Sequence, residues 1–324
     1  MKNRVKDIAF QSADHVIEEI RNMNVKGGSP FGRAAAWAFK LALQQEDLKT
    51  FSEIKTRFTY LKKQMYELKP TMATIYNSCE AIMQELDETM KVNILKEKVI
   101  HLCDNIIEQS FVAVEKVGEI GSHLIHDHDV VLMHSYSSTL MGIFQSAAND
   151  KKRFKVICTE SRPLRESRNA VNVLTRLGIE TMFISDASVY EFMNEADMII
   201  MGADTLCTNG DVANKMGSAQ IARLAQSCKI PVYFASELYK LDIRTLNGEK
   251  VVLERRDKCE LVDEDDFKDF DQVEVINQFF DLTPASDITG IVTEFGVLHP
   301  SQMLQYWSKL RRVNKYECIF RYKR

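Results

Sequence analysis

Proline and glycine are scarce in this chain, 6 and 13 residues among 324. That scarcity excludes collagen-like, linker-rich and low-complexity architectures. No apolar run approaches the ~18 residues that a membrane-crossing helix needs. The N-terminal "MKNRVKDIAFQSADHVIEEI" has no apolar stretch ending in a small-residue cleavage site, so it is not expected to be a signal peptide. Charge of one sign is also missing: 42 Lys and Arg are interspersed with 46 Asp and Glu, a formal net charge of −4, which leaves no footprint for nucleic acid. The seven cysteines (Cys79, Cys103, Cys158, Cys207, Cys228, Cys259 and Cys318) are odd in number and never spaced C-x-x-C. They read as reduced thiols of a cytoplasmic protein. Neither G-x-G-x-x-G, nor a Walker loop, nor a G-x-S-x-G elbow occurs, so a nucleotide cofactor or a hydrolase triad is not indicated. "HLIHDH" (His123, His126, His128) lacks cysteine or carboxylate partners at ligand spacing and reads as a polar connection, with no metal site expected.

What is present falls into two halves. Residues 1 to about 125 carry helical periodicity, as in "VKDIAFQSADHVIEEIRNM" and the Ala-rich "FGRAAAWAFKLALQQ" that follows "GGSP". "ETMKVNILKEKVIHLCDNIIEQSFVAVEKVGEIGSHLI" predicts one long helix or two. After about residue 127 the rhythm changes to short β-rich runs: "DVVLMHS", "FKVICTES", "ETMFISD", "ADMIIMGAD" and "IPVYFASE". Helical patterns separate them, which implies parallel strands joined by crossovers and hence a doubly wound, Rossmann-like α/β domain. The expected division is a helical domain over 1–125 and a ligand-binding α/β domain over 126–324. The charged "RTLNGEKVVLERRDKCELVDEDDFKDFDQ" predicts a surface excursion, and "VEVINQFFDLTPASDITGIVTEFGVLHPSQ" a return to strands.

In an open parallel sheet, ligands bind beyond the carboxyl ends of the strands, near the point where strand order reverses. That rule selects His134 and Ser135, Thr159 to Arg162, Ser185 and Asp186, Asp204, and Glu237 to Lys240. Asp204 ends "ADMIIMGAD"; burial there would favour a neutral acid able to donate a proton, while a turn or helix cap is the other reading. Asn214 and Lys215 in "NGDVANKMGSAQIA" precede a helix that begins near Gly217 and Ser218. Free backbone N–H groups there, with the Lys215 ammonium, would seat a phosphate; a capped helix with a solvated lysine is the alternative. "VKGGSPFGR" offers a second glycine turn before a helix, with Lys26 and Arg33 nearby. Arg162 and Arg165 add positive charge at another strand end. Together these groups favour a doubly anionic small ligand such as a sugar phosphate.

These motifs resemble the superfamily of the α, β and δ subunits of translation initiation factor 2B and their sugar-phosphate isomerase relatives. The resemblance runs from "VKGGSPFGRAAAWA" and "LKPTMATIYN" through "DVVLMHSYSS", "CTESRPLRESR", "MGADTLCTNGDVANKMGS" and "FASELYKLD" to "FDLTPASDITGIVTEFGVLHP". It is nearest to the ribose-1,5-bisphosphate isomerases. It implies a helical N-terminal domain before a Rossmann-like one, pairing through the latter into a homodimer or larger homo-oligomer. It also implies an aldose–ketose isomerisation that uses neither nucleotide nor metal. On this resemblance Asp204 falls on the catalytic aspartate, and Asn214, Lys215 and Lys240 on substrate-binding positions. Lys26, Gly27 and Gly28 match the family's "RGA" turn, Lys69 replaces an arginine in "RPT", and Arg162 matches the "SRP" arginine. His134 and Ser137 flank the position of the catalytic cysteine, where this chain carries Ser135. A hydroxyl is far less acidic than a thiol of pKa about 8.5, so the usual proton shuttle would be lost. The α subunits of the translation factor, which are not isomerases, also place a small residue and then Tyr here. A non-catalytic regulatory protein that binds a sugar phosphate or nucleotide is therefore the alternative to an isomerase.

Overall fold

The computed structural model describes residues 8–310 and divides into two compact units between Ala113 and Val114. Cys318 lies outside the described residues. The first unit is helical: α1 (Ala13–Arg21), α2 (Gly28–Gln45), α3 (Phe51–Leu68), α4 (Ala73–Gln84) and most of α5 (Val92–Ser122). Each helix starts for a local reason. Ser12 caps α1 by accepting from the His15 N–H, and Thr50 with Glu53 forms a capping box on α3. The buried stripe of α2, from Phe31 through Ala35 and Phe39 to Ala42, follows helical spacing. The segment from Val92 to Ser122 is one continuous helix, which settles the choice between one and two.

The second unit is a twisted sheet with helices on both faces. Its strands and helices are β1 (Val130–Met133), α6 (Ser138–Asn149), β2 (Lys155–Thr159), α7 (Ser167–Arg176), β3 (Glu180–Ile184), α8 (Val189–Phe192), β4 (Met198–Gly202), β5 (Thr205–Cys207), β6 (Val212–Lys215), α9 (Ser218–Cys228), β7 (Val232–Ala235), β8 (Leu241–Asp242), β9 (Phe280–Thr283), β10 (Gly290–Thr293) and β11 (Gly296–Leu298). The large sheet has the order β11-β10-β7-β4-β1-β2-β3, parallel except for β11. Alternation along its strands explains the two cores. Leu132, Ile157, Ile199, Met201 and Phe234 face one side with Ile221, Ala222 and Ala225 of α9. Val131, Met133, Val156, Cys158 and Ile200 face the other with Leu140, Ile143 and Phe144 of α6 and Leu174 of α7. This is the α/β, largely parallel fold that the strand and helix rhythm implies.

The chain leaves β1 toward β2 and β3 in one direction, and runs from β4 to β7 and β10 in the other. Strand order therefore reverses between β1 and β4, the kind of point at which open α/β sheets bind ligands beyond the carboxyl ends of their strands. A second sheet, β8-β5-β6-β9, lies in the chain next to that point and is not legible in the sequence. Residues 212–215, which the sequence places ahead of a helix, form β6, which pairs antiparallel with β9 so that Asn214 faces Asp281 and Lys215 faces Phe280.

Candidate functional site

Ser135 and Asp204 each stand two residues beyond the last residue of a strand, β1 and β4, at the reversal point. Ser135 adopts φ +67°, a left-handed conformation that non-glycine residues rarely hold, and its N–H donates to Ser161 Oγ at 2.7 Å. Such strain persists only where neighbours over-determine it. Ser161 Oγ in turn lies 2.7 Å from Ser167 Oγ, so this hydroxyl chain ties the turn after β1 to the start of α7. Asp186 holds the intervening loop by accepting from the N–H groups of Ser161 (2.7 Å) and Arg162 (2.8 Å).

His134 is fully engaged. Its Nε2 lies 2.8 Å from the Met216 carbonyl, which can only accept, so Nε2 carries the proton and Nδ1 accepts from Thr159 Oγ1 at 2.7 Å. Burial lowers its pKa, against the Met216 carbonyl and Asp186, and keeps the ring neutral. His134 thus supports the turn before α9; touching a substrate would require one of these bonds to break. Two glycines allow the close packing. A Cβ on Gly202 would meet Ser137 Cβ at 2.4 Å, and Ser137 Oγ caps α6 by accepting from Leu140 N. Gly217, at φ +108°, lies where a Cβ would approach His134 Nε2 to 3.0 Å.

Asp204 has its pKa raised, chiefly by burial, with Lys240 and Lys215 opposing and Glu254 and Glu166 adding to the rise. Its carboxyl is biased toward the neutral acid, as the position at the end of a central strand suggests. Lys240 is buried and donates to the Ala203 carbonyl at 2.7 Å. Lys215 is buried, donates to Glu166 Oε1 at 2.8 Å, and lies 3.5 Å from the centroid of the Phe279 ring, on which Arg256 also stacks. Burial lowers the Lys215 pKa, while Glu166 opposes that fall.

One expectation about this corner fails. The N–H groups at the start of α9 are not free: Gly217 N and Ala219 N both donate to Asp281 Oδ2, at 2.7 and 3.1 Å. A carboxylate from β9 already fills the place assigned to a phosphate. Asn214 donates to Ser218 Oγ at 2.8 Å, which orders the same turn. Arg162 also differs from the simplest reading, since its exposed guanidinium donates to the Leu261 carbonyl of the charged excursion. Asp186 stands on the strand-end list, but Asp281 and Glu166 were missed by sequence reasoning. They lie outside the strand-end list or act through partners remote in sequence; the only local signal was "FFDLTP", an acidic residue inside an apolar run.

In the first unit, Gly27 takes φ +89° as it enters α2, and no side chain caps that helix. Lys26 is exposed, Ser29 is buried, and the Lys69 ammonium lies 5.8 Å from the ring of Phe31 in the first turn of α2. No group of three or more metal-ligating side chains is found among the described residues. No described helix is long and apolar enough to cross a membrane.

The α/β unit is doubly wound and gathers an acid, two buried ammonium groups and a strained turn at its reversal point. The chain belongs to the Initiation factor 2 subunit family, which matches residues 24–300. It is 34% identical to the ribose 1,5-bisphosphate isomerase of Methanocaldococcus jannaschii over 87% of this chain and 90% of that protein. It is 35% identical to the protein of the same name from Archaeoglobus fulgidus, over 87% and 88%. Its structure resembles translation initiation factor eIF-2B of Pyrococcus horikoshii, with a TM-score of 0.77 and 31% identity over 90% of this chain and 98% of that one.

Proposed function

We propose that this protein is an aldose–ketose isomerase acting on a phosphorylated sugar of the ribose 1,5-bisphosphate type. The observation that carries the reading is Asp204, a carboxyl kept toward its neutral form at the reversal point, with Lys215 and Lys240 in its field. A neutral acid can protonate a ring or carbonyl oxygen, and nearby ammonium groups stabilise the enolate that follows. The interconversion moves hydrogen within one molecule, so the reading calls for no external oxidant or reductant. Asn214, Lys215, Lys240, Ser137 and Arg162 are assigned to substrate binding, with His134 behind them. Lys26, Gly27, Gly28 and Lys69 are assigned to an anion seat at the uncapped start of α2 in the helical unit. Ser135 stands at the position of the family's catalytic cysteine. The buried thiols of Cys79, Cys103, Cys158 and Cys207 suit a reducing, cytoplasmic setting, and a homo-oligomer formed through the α/β domain is part of the same reading.

Ser135 also favours a second reading, a translation-factor-like protein that binds such a ligand without turning it over. Thermal unfolding in the presence of sugar mono- and bisphosphates, followed by an isomerase assay on each ligand that stabilises, separates the two. Turnover of a sugar phosphate, lost on Asp204→Asn, supports the isomerase. Stabilisation without turnover, unchanged in Asp204→Asn, sinks it in favour of the binding protein. Ser135→Cys is the companion test, and on the isomerase reading it raises activity.

A further inference from the structure

An isomerase that lacks the thiol needs another group to take the C2 proton, and Ser135 has no base in hand. Its neighbour His134 is engaged at both nitrogens, by Thr159 and Met216. The carboxylates around the site differ in what they already hold. Asp186 accepts from two backbone N–H groups, and Asp281 from two more. Asp204 is biased toward its neutral acid. Glu166 is the one of these carboxyl groups that pairs with a buried ammonium of the site. It stands at the start of α7, next to Ser167, in the hydroxyl chain that runs through Ser161 to the backbone of Ser135. Its Oε1 accepts from the Lys215 ammonium at 2.8 Å, and its Oε2 is buried with no hydrogen-bond partner within the protein, as is Asp281 Oδ1. The side chain keeps 22% of its surface exposed, and its charge is felt at both Asp204 and His134. Two carboxyl groups in such different surroundings, Glu166 against a buried ammonium and Asp204 desolvated at a strand end, can divide base from acid between them.

We propose that Glu166 is a further catalytic residue of this site, the base that removes the C2 proton of the sugar phosphate. The inference rests on the isomerase reading above. For a furanosyl 1-phosphate the balance is as follows. The C2–H bond breaks, its proton goes to Glu166, and its electron pair forms the C1=C2 bond as the bond from C1 to the ring oxygen breaks. Asp204 gives its proton to that oxygen. Glu166 then returns its proton to C1 while the Asp204 carboxylate takes the proton of the C2 hydroxyl, leaving the C2 ketone and both groups in their starting forms. Lys215 holds Glu166 in place through the contact with Oε1. Ser135 contributes the shape of the turn.

The test compares E166Q, E166D and S135A with the unaltered protein, using ribose 1,5-bisphosphate and its 2-deuterio form. E166Q is expected to lower kcat by about 10²–10⁴-fold, the usual contribution of a general base. Its KM and the ligand-induced rise in Tm are expected to stay within a few-fold and a few degrees. E166D is expected to fall less and to show a larger C2 deuterium isotope effect on kcat than the unaltered protein, because proton abstraction becomes slower. A merely structural role would move KM and leave the isotope effect alone. S135A is expected to lose less than E166Q. Turnover by E166Q within about threefold of the unaltered protein overturns the proposal and leaves the isomerase reading standing, as does a loss in S135A that equals or exceeds that of E166Q. An unchanged rate and isotope effect in E166D does the same should E166Q not fold. No turnover by the unaltered protein overturns the isomerase reading and this proposal with it.

Discussion

Two glycine turns enter helices in this protein, at Gly27 before α2 and at Gly217 before α9. In sequence they look like equivalent anion seats. Gly27 takes φ +89° and no side chain caps α2. Gly217 takes φ +108°, but the N–H groups that follow are held by Asp281, 64 residues further along the chain. The difference teaches that a glycine turn makes N–H groups available only where no carboxylate of the protein has reached them first. An anion arriving at α9 would meet a like charge; at α2 it meets a helix terminus near Lys69.

The largest expected contrast is in ligand affinity. Lys69→Ala should weaken binding of a sugar bisphosphate by roughly 10- to 100-fold, the loss of one charge-assisted contact of about 1.5–3 kcal/mol. Isothermal titration checks this, and equal affinity would erase the distinction between the two turns. Next is Asp281→Ala, which strips the α9 terminus of its acceptor and should cost about 1–3 kcal/mol in denaturant unfolding at pH 7. Asp281→Asn keeps an acceptor oxygen and should cost less.

The pH dependence of that pair sharpens the point. Burial pushes the Asp281 carboxyl up from 3.8 to about 6, against the N–H groups of Ala219 and Gly217. A folded pKa above the unfolded one means the protonated form is favoured by folding. That contribution is complete below pH 3.8 and fades as the pH rises through about 6. Stability of the unaltered protein relative to Asp281→Asn should therefore fall between pH 4 and 7; a flat difference over that range would refute it.

Gly217→Ala forces a Cβ into a left-handed conformation 3.0 Å from His134 Nε2, and should destabilise by about 1–2 kcal/mol. The smallest effect concerns Ser29, whose buried hydroxyl has no partner in the protein. Ser29→Ala should leave stability without ligand within about 0.5 kcal/mol or raise it, because an unpartnered buried hydroxyl bears a desolvation cost that no hydrogen bond offsets. A loss well above that value would show that the hydroxyl is already bonded, and the α2 terminus would then resemble the α9 one.

Much of the architecture was legible. The runs ending at Met133, Thr159, Ile184, Gly202 and Ala235 are strands, and the segments between them are the crossover helices, because apolar period is a local property of the chain. The centrality of the strand before Asp204 followed from its apolar run, and β4 is the middle strand of the large sheet. The small sheet was not legible. Its strands are two to four residues long and have too little length to show a period, and β6 meets β9 only through pairing of distant segments. The engagement of His134 was equally hidden, because Thr159 and Met216 reach it from 25 and 82 residues away.

The sequence by itself determined which residues stand at the strand ends, that Ser occupies position 135, and that Asp204 closes a buried strand. Those are matters of order along one chain, read by spacing and residue type. Only the tertiary structure decided which of these groups are already engaged: Lys215 with Glu166, the α9 terminus with Asp281, His134 with the turn it supports. Hydrogen bonds and charges act over a few ångströms whatever the separation in sequence, so their pairing exists only once the sheet has brought the ends of its strands together.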